Sequence, residues 1–129
     1  MKIAGFNELS HPRRGLRKTE TAQTLCRIFT ELHYELGVLS PEEAKFLQEN
    51  RIEPPKNWLA ASRHPKAKIF SMGAKKIAVI LFPSDSSGRT GRTEIVELAS
   101  ELRRDVDLLI GLSPWGINKE RSFFSNSPN

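Results

Sequence analysis

A single cysteine, a single tyrosine and three histidines in 129 residues leave few of the ingredients on which many activities depend. Cys26 has no second cysteine to pair with, so an internal disulfide is excluded and nothing asks for an oxidising compartment. No run approaches the ~20 apolar residues that cross a bilayer. The opening Met1 to Glu8 carries a lysine but no apolar stretch of secretory-leader type. The expectation is a cytoplasmic chain with no membrane partner. Internal repeats and low-complexity tracts are lacking too. So are the Gly-x-x-x-x-Gly-Lys-Ser/Thr and Gly-x-Gly-x-x-Gly phosphate loops.

What is present suits an ordinary globular protein: 38% hydrophobic and 27% charged residues, enough for one domain with one core. The formal net charge of +5 favours anionic partners, chiefly through encounter rate. Part of the excess sits in His11 to Lys18, where Arg13, Arg14, Arg17 and Lys18 stand without an acid. No aromatic residues interleave these cations as they do in single-strand nucleic-acid grooves, so a solvated loop is the plainer reading.

Local patterns give an order of elements. Ile3 to Phe6 suits a short first strand. From Thr19, an N-cap candidate, Ala22, Leu25, Cys26, Phe29, Leu32 and Leu36 recur at helical spacing, and Gly37 is placed to end the helix. Cys26 and His33 lie on or beside that stripe without a partner at metal-ligand spacing, which makes them packing residues. Val38-Leu39 is an extended step into Ser40-Pro41-Glu42-Glu43, which combines an N-cap serine, proline at the first helical position and a capping-box glutamate. Pro54-Pro55 enforces irregular backbone. Trp58 to Ala61 reads as a strand. Lys68 to Ser71 and Lys76 to Phe82 read as a hairpin turning at Met72 to Lys75. Thr93 is placed to cap a helix with Ile95, Leu98, Ala99 and Leu102 inward, and Asp107 to Leu112 is a further buried strand. Strands 76–82 and 107–112 with the helix between them make a right-handed βαβ unit with parallel strands. The serine- and asparagine-rich end, from about 118 to 129, is expected to fray.

The loop out of the first of those strands carries the strongest functional signal. Ser86, Ser87, Gly88, Arg89, Thr90, Gly91, Arg92 and Thr93 bring hydroxyls, glycines and two guanidinium groups to a strand-to-helix junction. Unpartnered amides and the helix dipole favour an anion there. Gly111 to Gly116 resembles a nucleophile elbow, but its second glycine comes one residue late. No residue is assigned a catalytic or metal-binding role, and no cofactor is expected.

The order of segments resembles the calcineurin-like metallophosphatases, particularly the 5′-nucleotidase-like branch. Leu32 to Leu39 stands at that family's Leu-Gly-Tyr-Asp lead-in, and Trp58 to Ser62 at its Ser-Ala-Asn strand. Lys68 to Ile80 matches its Gly-x-Lys-Ile hairpin, and Val106 to Gly116 the strand closing on Ser-His-x-Gly. The resemblance spans about 20–117 and implies a scaffold for two divalent metals and phosphoryl chemistry. The family's metal-holding positions depart from it here. Asn-His-Glu becomes Ser40-Pro41-Glu42, and the histidine of Ser-His-x-Gly becomes Pro114. The Gly-Asp position falls near Gly5 to Asn7 without a carboxylate. The upstream Asp-x-His strand would precede Met1 and the downstream Gly-His-x-His would follow Asn129.

The expected fold is therefore α/β, with a mainly parallel central sheet containing the βαβ unit, one antiparallel hairpin, and the outline of a metallophosphatase fragment in a single domain. The expected function is a catalytically inactive binding or structural domain that takes a phosphate-containing small molecule. A divergent metal-dependent phosphoesterase and a basic nucleic-acid-associated protein are the alternatives. Sheet edges left bare in such a fragment favour a homo-oligomer or a partner chain.

Overall fold

The computed structural model describes residues 1–11, 15–16, 19–84 and 89–126. The chain divides into two compact units, Met1–Ala61 and Ser62–Asn129. In the first unit, β1 (Ser10–His11) and β2 (Gly15–Leu16) form a small antiparallel pair. They are followed by α1 (Thr19–Glu31), β3 (Gly37–Leu39), α2 (Pro41–Glu49) and β4 (Trp58–Ala60). β3 and β4 are parallel, with Gly37 opposite Trp58 and Leu39 opposite Ala60. A single parallel bridge joins Ile3 to Leu36. Ala4, Leu9, Ala22, Cys26, Leu39, Leu47, Ile52 and Trp58 form the core.

Two contacts fix this unit. The indole of Trp58 lies directly over Gly37, where a Cβ would stand 2.1 Å from a ring carbon. Phe29 and Tyr34 close on the same indole at centroid distances of 4.8 and 6.5 Å. The second contact is the capping box of α2. Ser40 Oγ accepts from the Glu43 amide at 3.2 Å, and Glu43 Oε2 accepts from the Ser40 amide at 2.9 Å. The other carboxylate oxygen of Glu43, a wholly buried residue, accepts from the Leu9 amide at 2.9 Å. One carboxylate thus caps a helix and anchors the segment that precedes α1.

Burial, with a smaller push from the Glu43 carboxylate, raises the Cys26 thiol from 9.0 to about 11. The unfolded chain therefore ionises its thiol before the folded chain does. The stability tied to Cys26 is whole below pH 9 and drains away as pH rises toward 11, on the order of 2 kcal/mol in total. Urea unfolding of the parent and of Cys26→Ala, compared at neutral and at alkaline pH, should show the gap between them shrinking by that amount. A gap that stays constant with pH would place the thiol in water.

The second unit is a three-stranded sheet in the order β5-β6-β7, with β5 (Lys66–Met72), β6 (Lys75–Leu81) and β7 (Leu108–Leu112). β5 and β6 form an antiparallel hairpin over seven residue pairs, turned by Gly73 at φ +59°. β6 and β7 are parallel, Ile77 opposite Leu108 through Leu81 opposite Leu112, and α3 (Arg89–Leu102) crosses between them. The parallel pairing of these two strands and the helix between them are as the sequence predicts. Ile80, Phe82, Ile95, Trp115 and Phe123 make the core. The Asp107 carboxylate holds the start of β7 against the hairpin, accepting from the Lys76 amide at 2.8 Å and from Lys75 Nζ at 3.2 Å. Those bonds keep it below the usual carboxylate range.

Several expectations change. The sheet is not mainly parallel: the hairpin has more pairs than either parallel ladder, and the described strands fall into three separate small sheets. The strand expected at Ile3 to Phe6 is one bridge. α1 stops at Glu31, because His33 turns left-handed (φ +52°) and lets Leu36 carbonyl meet the Ala4 amide at 2.9 Å. Gly37 therefore belongs to β3 rather than to a helix end, and His33 is exposed in the turn rather than packed. Thr19 and Thr93 lie inside α1 and α3 instead of capping them. The expected fraying tail is largely α4 (Ile117–Ser125), held because Phe123 is buried against Phe82 and Trp115.

Candidate functional site

In a parallel ladder the carboxyl ends of neighbouring strands open onto the same edge, and ligands of α/β proteins gather there. Here that edge belongs to β6 and β7. The Phe82 amide donates to Leu112 carbonyl at 2.8 Å, so the loops that leave the two strands begin side by side. Trp115 ties them together, its indole Nε1–H donating to Pro83 carbonyl at 2.8 Å. Its own amide donates to Ser113 Oγ at 3.1 Å. The Phe82, Trp115 and Phe123 rings meet at 5.1 to 5.7 Å, which makes Trp115 part of the core rather than the floor of a pocket.

The first helical turn of α3 faces this edge. A Cβ on Gly91 would meet Pro83 Cγ at 3.3 Å, so the helix start is seated against the end of β6. In a helix opening at Arg89 the unpartnered amides end at Gly91, and Thr93 lies beyond them. Within the loop proposed from sequence, Ser86, Ser87 and Gly88 lie outside the described residues. Arg89 to Thr93 are helical. Of the basic segment, Arg13, Arg14, Arg17 and Lys18 all lie outside the described residues. Glu94, on the next turn of α3, is drawn to His64 Nδ1 at 3.0 Å, a pairing that sequence spacing does not announce.

The two divalent metals implied by the family resemblance do not fit these residues. The Pro114 side chain has no donor atom, and the Ser113 hydroxyl is engaged by the Trp115 amide. In the first unit, the Ser40 hydroxyl caps α2 and the adjoining Pro41 offers nothing. Among the described residues no group of three or more His, Cys, Asp or Glu side chains is placed to hold a metal ion. A nucleophile elbow is not formed either: α4 follows the Ser113 loop, but the serine oxygen serves as a turn acceptor. No helix among the described residues is long and apolar enough to cross a membrane.

The fold is similar to part of a larger solved structure. It matches a Staphylococcus aureus protein to which 5′-nucleotidase activity is assigned by name, solved in complex with α-ketoglutarate. The TM-score is 0.60 and the identity 15%, over 91% of this chain. The chain spans 28% of that protein's length. No protein-family profile matches the chain, and no curated protein sequence is similar to it.

Proposed function

We propose that the chain is a binding or structural module on a 5′-nucleotidase-like scaffold, without hydrolytic chemistry of its own, that receives phosphate-bearing anions at the start of α3. The observation that carries this reading is the loop closing β7. Where the resembled hydrolases hold a metal ligand, this chain has Pro114 between a serine committed to a turn and a tryptophan committed to the core. Amides at the start of α3 supply the donors that an anion needs, and the sequence puts two arginines, Arg89 and Arg92, in that turn to add charge. The sheet edges add a second aspect. Ile69 and Met72 on β5 and Leu108 on β7 are half exposed, which favours a second copy or a partner chain along the edge strands.

Two measurements test it. Purified protein should carry no stoichiometric zinc, manganese or iron and should not hydrolyse p-nitrophenyl phosphate. About two metal ions per chain, with hydrolysis stopped by a chelator, would establish the phosphoesterase alternative. Replacing Arg89 and Arg92 together by alanine should weaken phosphate binding at low salt by about tenfold while the fold stands. Unchanged calorimetric affinity in that variant would reduce the segment to an ordinary helix start.

A further inference from the structure

We infer that the groove between α1 and the segment 51–56 is a second binding site, built for a doubly charged phosphate monoester with an apolar body. The groove has a volume of 790 Å³, within the range of small-molecule sites. Arg27 from α1 and Arg51 and Lys56 from the segment after α2 line it, and Glu53 is the single carboxylate among the lining residues. All three cations are exposed, and none has an ion pair or side-chain hydrogen bond among the described residues. Two positive charges are therefore left over, matching a phosphate monoester dianion. Buried Ile52 and Cys26 at the same wall give the groove an apolar side.

The backbone gives an independent sign. α2 ends in a Schellman closure: the Arg51 amide donates to Gln48 carbonyl at 3.2 Å and the Ile52 amide to Leu47 carbonyl at 2.9 Å. This closure puts residue 51 in the left-handed region, at φ +53°, where glycine is the favoured occupant. Arginine holds that conformation at a cost that glycine would not incur, and it is one of the residues that line the groove. The far end of the segment is also fastened. The Lys56 amide donates to Thr30 Oγ1 at 3.3 Å, and that hydroxyl donates to Cys26 carbonyl at 2.8 Å. The backbone carrying Lys56 is thus fixed to the helix that carries Arg27. The lining has no aromatic platform for stacked bases, which favours a compact ester over a single-stranded nucleic acid.

The test is calorimetry on the whole chain at low salt with three probes: phenyl phosphate, inorganic phosphate and phenol. Phenyl phosphate should bind tightest and phenol not at all. Arg51→Gly and Lys56→Ala should each weaken phenyl phosphate by about tenfold. Arg51→Gly should melt no lower than the parent, since glycine suits that backbone, so its loss of binding cannot be laid to unfolding. Amide shifts during the titration should centre on residues 23–30 and 51–56. Equal affinity of the parent and Arg51→Gly would overturn the assignment. So would binding abolished by Arg92→Ala but not by Arg51→Gly, which would place the only anion site at α3. Capture of a thymidine oligonucleotide without binding of phenyl phosphate would make the surface a nucleic-acid contact instead.

Discussion

Gly37→Ala should lower the stability of the first unit by about 3 kcal/mol, the upper end of what an added core methyl costs. The new Cβ would stand 2.1 to 2.3 Å from three atoms of the Trp58 indole, and neither partner has room to give. Gly37 is hydrogen-bonded into β3 opposite Trp58 itself, while Phe29 and Tyr34 hold the ring from other sides. Relief has to come from shearing the β3–β4 ladder or rotating the indole out of the core. A double-mutant cycle separates the clash from any intrinsic effect of alanine. In a Trp58→Leu background the same Gly37→Ala change should cost less than half as much. Equal costs in both backgrounds, read from urea midpoints, would show that the ring moves aside freely.

The second large effect belongs to Glu43. Replacement by alanine strands the buried amides of Leu9 and Ser40 and removes half of the capping box, a loss of about 3–4 kcal/mol. Glutamine keeps one acceptor oxygen but turns an amino group toward the other amide, so it should cost about half that amount. Hydrogen exchange gives the local reading: both amides should be slow in the parent and fast in Glu43→Ala. Slow exchange at Leu9 in the variant would mean that another acceptor takes over.

These two sites differ in how far they can be read from the amino acids. The capping box is legible because Ser40, Pro41 and Glu43 act on one another within a single turn. The βαβ unit is legible because the apolar runs 76–82 and 107–112 flank a helical stripe. The grip of Trp58 on Gly37 joins residues twenty-one positions apart, and a glycine after a helical stripe looks like an ordinary helix stop. The same contest misplaces the end of α1: Leu36 continues the helical spacing, but pairing with Ile3 wins. The start of α3 is misread because Thr93 looks like a cap by residue type, whereas the helix already opens at Arg89, with Gly91 seated against Pro83. The 27/51/56 groove is hidden from sequence for a simpler reason. Its three cations are scattered along the chain and meet only after α1 and the close of α2 are in place.

The placement of the two tryptophans gives each compact unit its own optical reporter. Trp58 is buried in the first unit with an indole N–H that has no hydrogen-bond partner among the described residues, whereas Trp115 is buried in the second with its N–H bonded to Pro83 carbonyl. An indole that donates no hydrogen bond in an apolar cage emits at shorter wavelength than one bonded to a carbonyl, so the two signals should differ in colour. Trp58→Phe and Trp115→Phe then yield two single-tryptophan proteins, in each of which selectively excited tryptophan emission reports on one unit. If their denaturation curves superimpose, the units melt as one cooperative body, and if the curves part, the weaker half identifies itself by the wavelength that fades first.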